Sequence, residues 1–585
     1  MTRPGKARAT YNSDSNKLAI LAMNRDHAND QDRSNLQHTA PGIIEEIRAW
    51  LFPTQYDSAG SEYRKHLDAY TNGTGLWLGS TDQYRQWLQD DEVSLLRIEG
   101  VSGSGKSVHA ARITQSLQNE NPSCPVLFFF PGSRNTVVSR PQALVRDWLD
   151  QLLNYSPLLQ HRLKSYIGQN FQTNPVPITT LMNHLRNAFS ELRDPIFCVI
   201  DDLDELETEH DSFLQELGTL IKCRPGHVKT LVTSRPGPQV RAFLQNIPSL
   251  LLSLREDLVS LDISCYIQRI TATSAIPHHQ WHTIEQAVSR KAKGVFIFAR
   301  LAMDALVEPD ADIEALLSQL PNDLENLYSG LLKEHRRRCD VSQAIQELIL
   351  EFVTHATRPL RPLELADMLQ HFSPHETPGN RKDAQTMVLQ ACGSLLGVLA
   401  DGTVTFIHDS FAEYFKSTRG GDLGQPILSS PAHGRLGRVC LAYLMASGCL
   451  DQLGRNFDRS DGTSRVNRRS MTDATLANMR SQFPFYDYAA SYWVAHVRAS
   501  SETSPYQDET TRLIQTFFER DEGIACWLNS HSKADAPYGG NLTVLHAAAI
   551  SGLNAYIREL LKDPNQEVNL SAGWGRSPLY VAQLP

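Results

Sequence analysis

Gly100-Val101-Ser102-Gly103-Ser104-Gly105-Lys106-Ser107 follows an apolar run, Val93–Ile98, and precedes a helix-compatible one, Val108–Leu117. The octet satisfies G-x-x-x-x-G-K-[ST] in the strand–loop–helix setting the pattern requires. Polyphosphate binding explains these residue types. Gly100, Gly103 and Gly105, with Ser104 between them, let main-chain N–H groups converge on phosphate oxygens without side-chain obstruction. The start of the following helix adds the positive end of its dipole. Lys106 is then an ammonium for the β- and γ-phosphates, and the Ser107 hydroxyl a ligand for Mg²⁺.

Working outward, Ile196-Phe-Cys-Val-Ile200-Asp201-Asp202-Leu203-Asp204-Glu205 is an apolar strand ending in acids. A metal-bound phosphate site needs such an edge: Asp201 as the metal-side acid, with Asp204 and Glu205 to orient or deprotonate an attacking water. The other reading of the cluster is a solvated acidic loop. Lys229-Thr-Leu-Val-Thr233-Ser234-Arg235-Pro236 reads as a further strand. Ligands of open α/β sheets bind at the carboxyl ends of strands, which aims Arg235 at the same pocket as a sensor of γ-phosphate charge. A surface arginine before a turn proline is the alternative. Val93–Ile98, Val126–Phe130, Ile196–Ile200 and Thr230–Thr233, with amphipathic helices between them, give an α/β fold: a parallel sheet covered on both faces.

Composition limits what surrounds this core. The 585 residues are 41% hydrophobic and 21% charged, with a net charge of −9, so the chain is globular and lacks the positive field of a nucleic-acid or anionic-membrane binder. Nine scattered cysteines without a C-x-x-C pair fit a reducing, cytoplasmic setting rather than a disulfide framework or a zinc site. No apolar run approaches the ~18 residues of a membrane span. The first forty residues are polar and read as disordered. Pro41 opens a helical pattern with Ile43, Ile44, Ile47 and Leu51 on one face. Loops are expected at Ser373–Ala384, Arg419–Ser430 and the basic stretch Arg455–Arg469.

Near the C-terminus the chain repeats itself. Thr543-Val-Leu-His546-Ala-Ala-Ala-x-x-Gly552 is followed 34 residues later by Ser577-Pro578-Leu579-Tyr580-Val581-Ala582. The period and wording resemble the ankyrin repeat, one unit full and one truncated, a protein-binding architecture.

The phosphate loop, the acidic strand end and T-S-R-P together resemble the NACHT class of signal-transduction P-loop NTPases. Flanking residues sharpen the likeness to its fungal, nephrocystin-like subgroup. They are Gly73-Thr-Gly75-Leu-Trp77, Tyr84-x-x-Trp87, Lys291-Ala-Lys-Gly294-Val-Phe-Ile-Phe-Ala299-Arg300, and Phe406-Ile-His408-Asp-Ser-Phe411-x-x-Tyr414-Phe415. The resemblance implies a slow ATPase or GTPase switch, closed on ADP (or GDP) and opened by exchange for the triphosphate for homo-oligomerisation or partner binding. It implies Lys106 and Ser107 as phosphate and Mg²⁺ contacts, Asp201 as metal acid, Asp204 and Glu205 as the hydrolytic pair, and Arg235 as sensor. It further implies that His408, in a winged-helix module, reaches the nucleotide; read from its apolar surroundings alone, His408 is equally a satisfied core histidine.

The expected order is therefore a disordered segment (1–40), a helical lead-in (41–91), the nucleotide-binding domain (92–254), a helical domain (255–332), a winged-helix-like domain (333–420), a helical linker (421–540) and ankyrin-like repeats (541–585). Protein partners are expected on the C-terminal helical and repeat region, and nucleic acid is not. Members of the class usually carry an N-terminal effector, which the short polar start does not supply. A passive interaction module with a vestigial pocket, and a small-molecule or nucleotide kinase, are the competing readings.

Overall fold

The computed structural model describes residues 41–132, 140–167, 176–206, 211–224, 226–309, 311–399, 401–416, 429–456, 473–500, 507–520, 523, 543–564, 566–571 and 575–582. The polar start and most of the expected loops at Arg419–Ser430 and Arg455–Arg469 lie outside them.

Three helices lead in: α1 (Pro41–Leu51), α2 (Glu62–Asp68) and α3 (Asp82–Gln89). Ile47 and Leu51 of α1 are fully buried, as their spacing predicts. Strands then alternate with helices: β1 (Leu95–Glu99), α4 (Lys106–Glu120), β2 (Val126–Phe129), α5 (Arg140–Leu152), α6 (Pro157–Leu163), α7 (Ile178–Glu191), β3 (Ile196–Ile200), α8 (Asp211–Ile221), β4 (Val228–Ser234), α9 (Pro238–Leu244) and β5 (Ser249–Ser253). All five strands are parallel, in the order β2-β3-β4-β1-β5. Side chains alternate between the two faces along each strand. Leu96, Ile98, Phe128 and Val199 join α4 on one face, while Leu95, Leu127, Ile196 and Ile200 pack with α5, α7 and α8 on the other. This double burial explains why β2 and β3 read as unbroken apolar runs, while β1 carries Arg97 and β4 carries Lys229 and threonines among their apolar residues. β5, at the sheet edge, leaves Leu251 exposed, and the sequence reading passed over it.

The remainder is mainly helical: α10 (Glu256–Thr273), α11 (Trp281–Ala292), α12 (Phe296–Leu306), α13 (Ile313–Gln319), α14 (Leu324–Cys339), α15 (Gln343–His355), α16 (Pro362–Phe372) and α17 (Arg381–Cys392). A two-stranded antiparallel hairpin, β6 (Leu396–Val398) and β7 (Val404–Phe406), interrupts them before α18 (Asp409–Lys416). α19 (Ser429–Ala446), α20 (Cys449–Asn456), α21 (Asp473–Gln482), α22 (Tyr486–Ala499) and α23 (Gln507–Phe518) follow. Short helices α24 (Val544–Ile550), α25 (Asn554–Leu560) and α26 (Pro578–Ala582) close the described chain. Thr543 caps α24 in a box with His546, whose Nε2 lies 3.1 Å from the Arg576 carbonyl, so the turn at Arg576 is tied to the first helix of the pair. The core of the α4 face runs without a break into these helical segments.

Candidate nucleotide-binding site

β1 ends at Glu99 and the chain turns through the glycine-rich octet into α4. Gly103 and Gly105 hold φ of 78° and 95°, the left-handed region where a Cβ is strained. Gly103 is also hemmed in: an added Cβ would lie 2.5 Å from Ile297 Cγ2, and its carbonyl accepts from the Ile297 N–H at 3.2 Å. The loop is thereby fastened to the start of α12. Lys106 is 6% exposed and its Nζ donates to the Val101 carbonyl at 3.2 Å, within the curve of the loop. Ser104 Oγ donates to the same carbonyl at 2.8 Å.

Asp201 stands at the carboxyl end of β3, 1% exposed. It accepts from Thr233 Oγ1 at 2.5 Å, and the Ser107 hydroxyl is hydrogen-bonded to it as well. Burial pushes its carboxyl above the usual range, opposed by His66, Thr233, Ser107 and Lys106. A hydroxyl and a carboxylate side by side, both oxygen donors, suit Mg²⁺, whose other ligands are normally waters and phosphate oxygens. Asp202 next to it takes φ 45°, and its N–H donates to Thr233 Oγ1 at 2.9 Å. Burial lifts the Asp202 carboxyl well above its ordinary value; Asp201, Glu205 and Asp204 add to the rise and Lys106 opposes it.

Arg235 leaves the end of β4 toward the same acids. Its backbone N–H and Nε donate to Asp204 at 3.0 and 2.6 Å, its Nη1 donates to Glu413 of α18 at 2.5 Å, and its Nη2 stands 4.0 Å from Glu205. Burial opposes the charged form, but the bonds to Asp204 and Glu413 and their charges hold the guanidinium above its ordinary range. His408, half-buried, uses Nδ1 to accept from the Ser410 N–H at 3.0 Å, and Ser410 Oγ is 2.7 Å from the Tyr328 hydroxyl.

Many of these groups border one cavity of about 550 Å³. The glycine-rich loop, Lys106, Ser107, Asp202, Glu205 and Arg235 form one wall; α2, α10, α12, the hairpin with His408, and Glu413 supply the rest. Asp204 is not part of the cavity wall; it is bound to Arg235. Asp201 lies beneath the wall, reached through Ser107. The lead-in is pinned alongside: Asp262 of α10 accepts from the Gly75 N–H at 2.7 Å and Trp77 Nε1 at 3.0 Å, with His109 Nε2 at 3.6 Å.

Sequence reasoning missed four of these residues. Asp202 and Thr233 stand inside quoted motifs but received no role. His66 and Glu413 carry no local signal, because each reaches the site only through the packing of α2 and α18. Among the described residues no cluster of His, Cys, Asp and Glu has the arrangement of a protein-only metal site, so any Mg²⁺ held here depends on phosphate or water for most of its ligands.

Residues 73–235 match the family model described as Nephrocystin 3, N-terminal. Among curated proteins, the vegetative incompatibility protein HET-E-1 of Podospora anserina is 26% identical over 376 residues, covering 61% of this chain and 27% of that protein. The chain thus spans about a quarter of that relative's length. Among solved structures, a Walker-type ATPase of Pyrococcus abyssi is similar at 16% identity and a TM-score of 0.29, over 57% of this chain and 94% of that one. The Aeropyrum pernix ORC2 protein is similar at 12% identity and a TM-score of 0.31, over 60% and 96%.

Proposed function

We propose that this chain, whose central segment is a NACHT-like P-loop NTPase module, is a nucleotide-controlled switch that binds ATP or GTP with Mg²⁺ and hydrolyses it slowly. Its helical segments beyond β5 rearrange between diphosphate and triphosphate states and thereby govern oligomerisation or partner binding, with the ankyrin-like helices α24–α26 as part of the partner surface. The observation that carries the reading is the single cavity in which loop, acids and Arg235 meet residues of the lead-in, α12, the hairpin and α18. A ligand there would touch all of these segments at once.

The roles follow from position. Main-chain N–H groups of Gly103, Ser104 and Gly105 and the Lys106 ammonium grip the β- and γ-phosphates. Ser107 and Asp201 hold Mg²⁺, which when bound neutralises phosphate charge. Glu205 and Asp202 face the cavity and orient the attacking water; Asp204 acts through Arg235. His408 borders the nucleotide from the winged-helix-like side. Because the sensor arginine is bound to Asp204 and Glu413, hydrolysis in this arrangement is slow. The same observation favours the second reading, a scaffold whose bound nucleotide is structural and not turned over.

Identifying the nucleotide that co-purifies with the chain, and titrating Mg²⁺-nucleotide against Lys106→Ala, tests both. The expected outcome is a bound diphosphate in the wild type and loss of binding in the variant. A Lys106→Ala protein that binds normally refutes the site; a wild type that binds tightly but never releases phosphate leaves the scaffold reading standing.

A further inference from the structure

We propose that Arg300 and Asp304 of α12 form a base-reading end of this cavity, where the Asp304 carboxylate accepts from the exocyclic amino group of a purine. The proposal rests on the nucleotide-binding reading above and names the ligand chemistry that the far wall selects.

α12 starts against the glycine-rich loop, where the Ile297 N–H donates to the Gly103 carbonyl. From there Phe296, Ile297, Arg300 and Asp304 all border the cavity. Offsets of one, four and eight residues from Phe296 put the four side chains on one face of the helix. At a rise of 1.5 Å per residue, Asp304 stands about 10 Å beyond Ile297 along the axis. With the polyphosphate at the loop, the nucleoside is the part of the ligand left for this stretch.

Other charged groups of the surrounding wall are already engaged. Asp262 is bound to the lead-in at Gly75 and Trp77, Lys65 to Glu62, and Arg235 and Glu413 to each other. Asp68 is exposed to solvent. Arg300 and Asp304 make no ion pair or side-chain hydrogen bond with any described residue. Burial pushes the Asp304 carboxyl above its usual range, and the Arg300 charge opposes the rise. A carboxylate in that position gains from a donor and loses by lacking one. Beside it the Tyr266 ring of α10 lies 5.2 Å from the ring of Phe296, and both border the cavity as an apolar flank for a planar ligand. A carboxylate only accepts and a guanidinium only donates. The two together complement an edge that carries an amino group next to a ring nitrogen or carbonyl oxygen, as adenine and guanine do. Asp304 is thus a specificity residue and touches no reacting phosphate.

The test measures affinity, with Mg²⁺, for pairs of nucleotides that differ only in the amino group: ATP against purine-riboside triphosphate, and GTP against inosine triphosphate. Inorganic tripolyphosphate reports the loop alone, and 2′-deoxy forms report the sugar. In the wild type, the amino-bearing member of the pair that binds is expected to be tighter by about tenfold or more, as for a hydrogen bond to a charged group. Asp304→Asn, nearly the same shape, should shrink that preference to about twofold and leave tripolyphosphate binding unchanged; Arg300→Gln should weaken both members of the pair and not tripolyphosphate. Equal affinity within both pairs in the wild type overturns the proposal without any variant, as does an Asp304→Asn protein that keeps the full preference. A loss on 2′-deoxygenation as large as that on removing the amino group, and abolished by Asp304→Asn, would assign the carboxylate to the sugar and overturn it too. In each of these cases the nucleotide reading survives. A folded wild type that binds neither nucleotides nor tripolyphosphate sinks that reading itself.

Discussion

Asp202 bears two burdens at one position: a positive φ of 45° and a carboxyl lifted by burial among three other acids. Backbone strain of this kind persists where surrounding structure over-determines it, and here the Thr233 hydroxyl does so, accepting from the Asp202 N–H while donating to Asp201. Asparagine tolerates the left-handed region and carries no charge. Asp202→Asn is therefore expected to leave the melting temperature unchanged or raise it slightly, because the like-charge repulsion of Asp202 with Asp201, Asp204 and Glu205 is removed. If the residue orients water, phosphate release should fall by about 10²-fold, the lower end of general-base contributions. Measuring both separates the roles: a large loss of stability would show that the carboxylate is structural, and undiminished phosphate release would remove it from the reaction.

Helices α15, α19 and α22 meet over three imidazoles. His433 Nδ1 lies 2.8 Å from His496 Nδ1, His496 Nε2 lies 2.7 Å from the Tyr488 hydroxyl, and the His355 ring packs 5.4 Å from that of His433. Burial, then the charge of His433, holds His355 and His496 down at about 3; Lys416 adds to the effect on His355, and His355 to that on His496. Unfolded histidine titrates near 6.5, so from there down to about 3 the unfolded chain binds more protons than the native one, and stability falls as pH falls. Glu351, one turn before His355 and 3.1 Å from Arg435, works the other way. Burial raises its carboxyl to about 7 from 4.5, so its contribution grows as pH falls through that window. At this junction three depressed imidazoles, His433 lowered by burial among them, outweigh one raised carboxyl. The melting temperature should drop between pH 6.5 and 5, and the drop should be shallower in His496→Gln; parallel profiles for the two proteins would exclude the imidazole junction as the cause.

The same scale shows what the sequence made legible. β2 and β3 were readable because burial on both faces makes each a continuous apolar run, and β1 and β4 because each leads directly into a motif, the glycine-rich loop and T-S-R-P. Ser249-Leu250-Leu251-Leu252-Ser253 was not, since an edge strand with one exposed leucine has neither a strict alternation nor a diagnostic flank. The hairpin strands β6 and β7 are three residues each, too short for any period to show. The phosphate loop declared itself because its chemistry is local. The Arg235–Glu413 bond did not, because it is made by folding and has no signature in either stretch.

At the scale of the whole molecule, the cavity draws on stretches that are far apart in the chain: α2, the glycine-rich loop, the ends of β3 and β4, α12, and the hairpin with α18. Ligand at about 100 times its Kd stabilises a folded protein by about 2.7 kcal/mol. Here that gain should be shared: Mg²⁺-diphosphate, the ligand of the closed arrangement, is expected to raise the melting temperature and to slow hydrogen exchange together in α2, α12 and the β6–β7 hairpin. Protection confined to the glycine-rich loop and α4 would mean that the other walls do not grip the ligand.

An enclosure assembled this way would also set a tempo for the proposed switch. A nucleotide clasped from so many sides would depart only when several of its walls part at once, so its dwell time would fix the interval between one opening and the next.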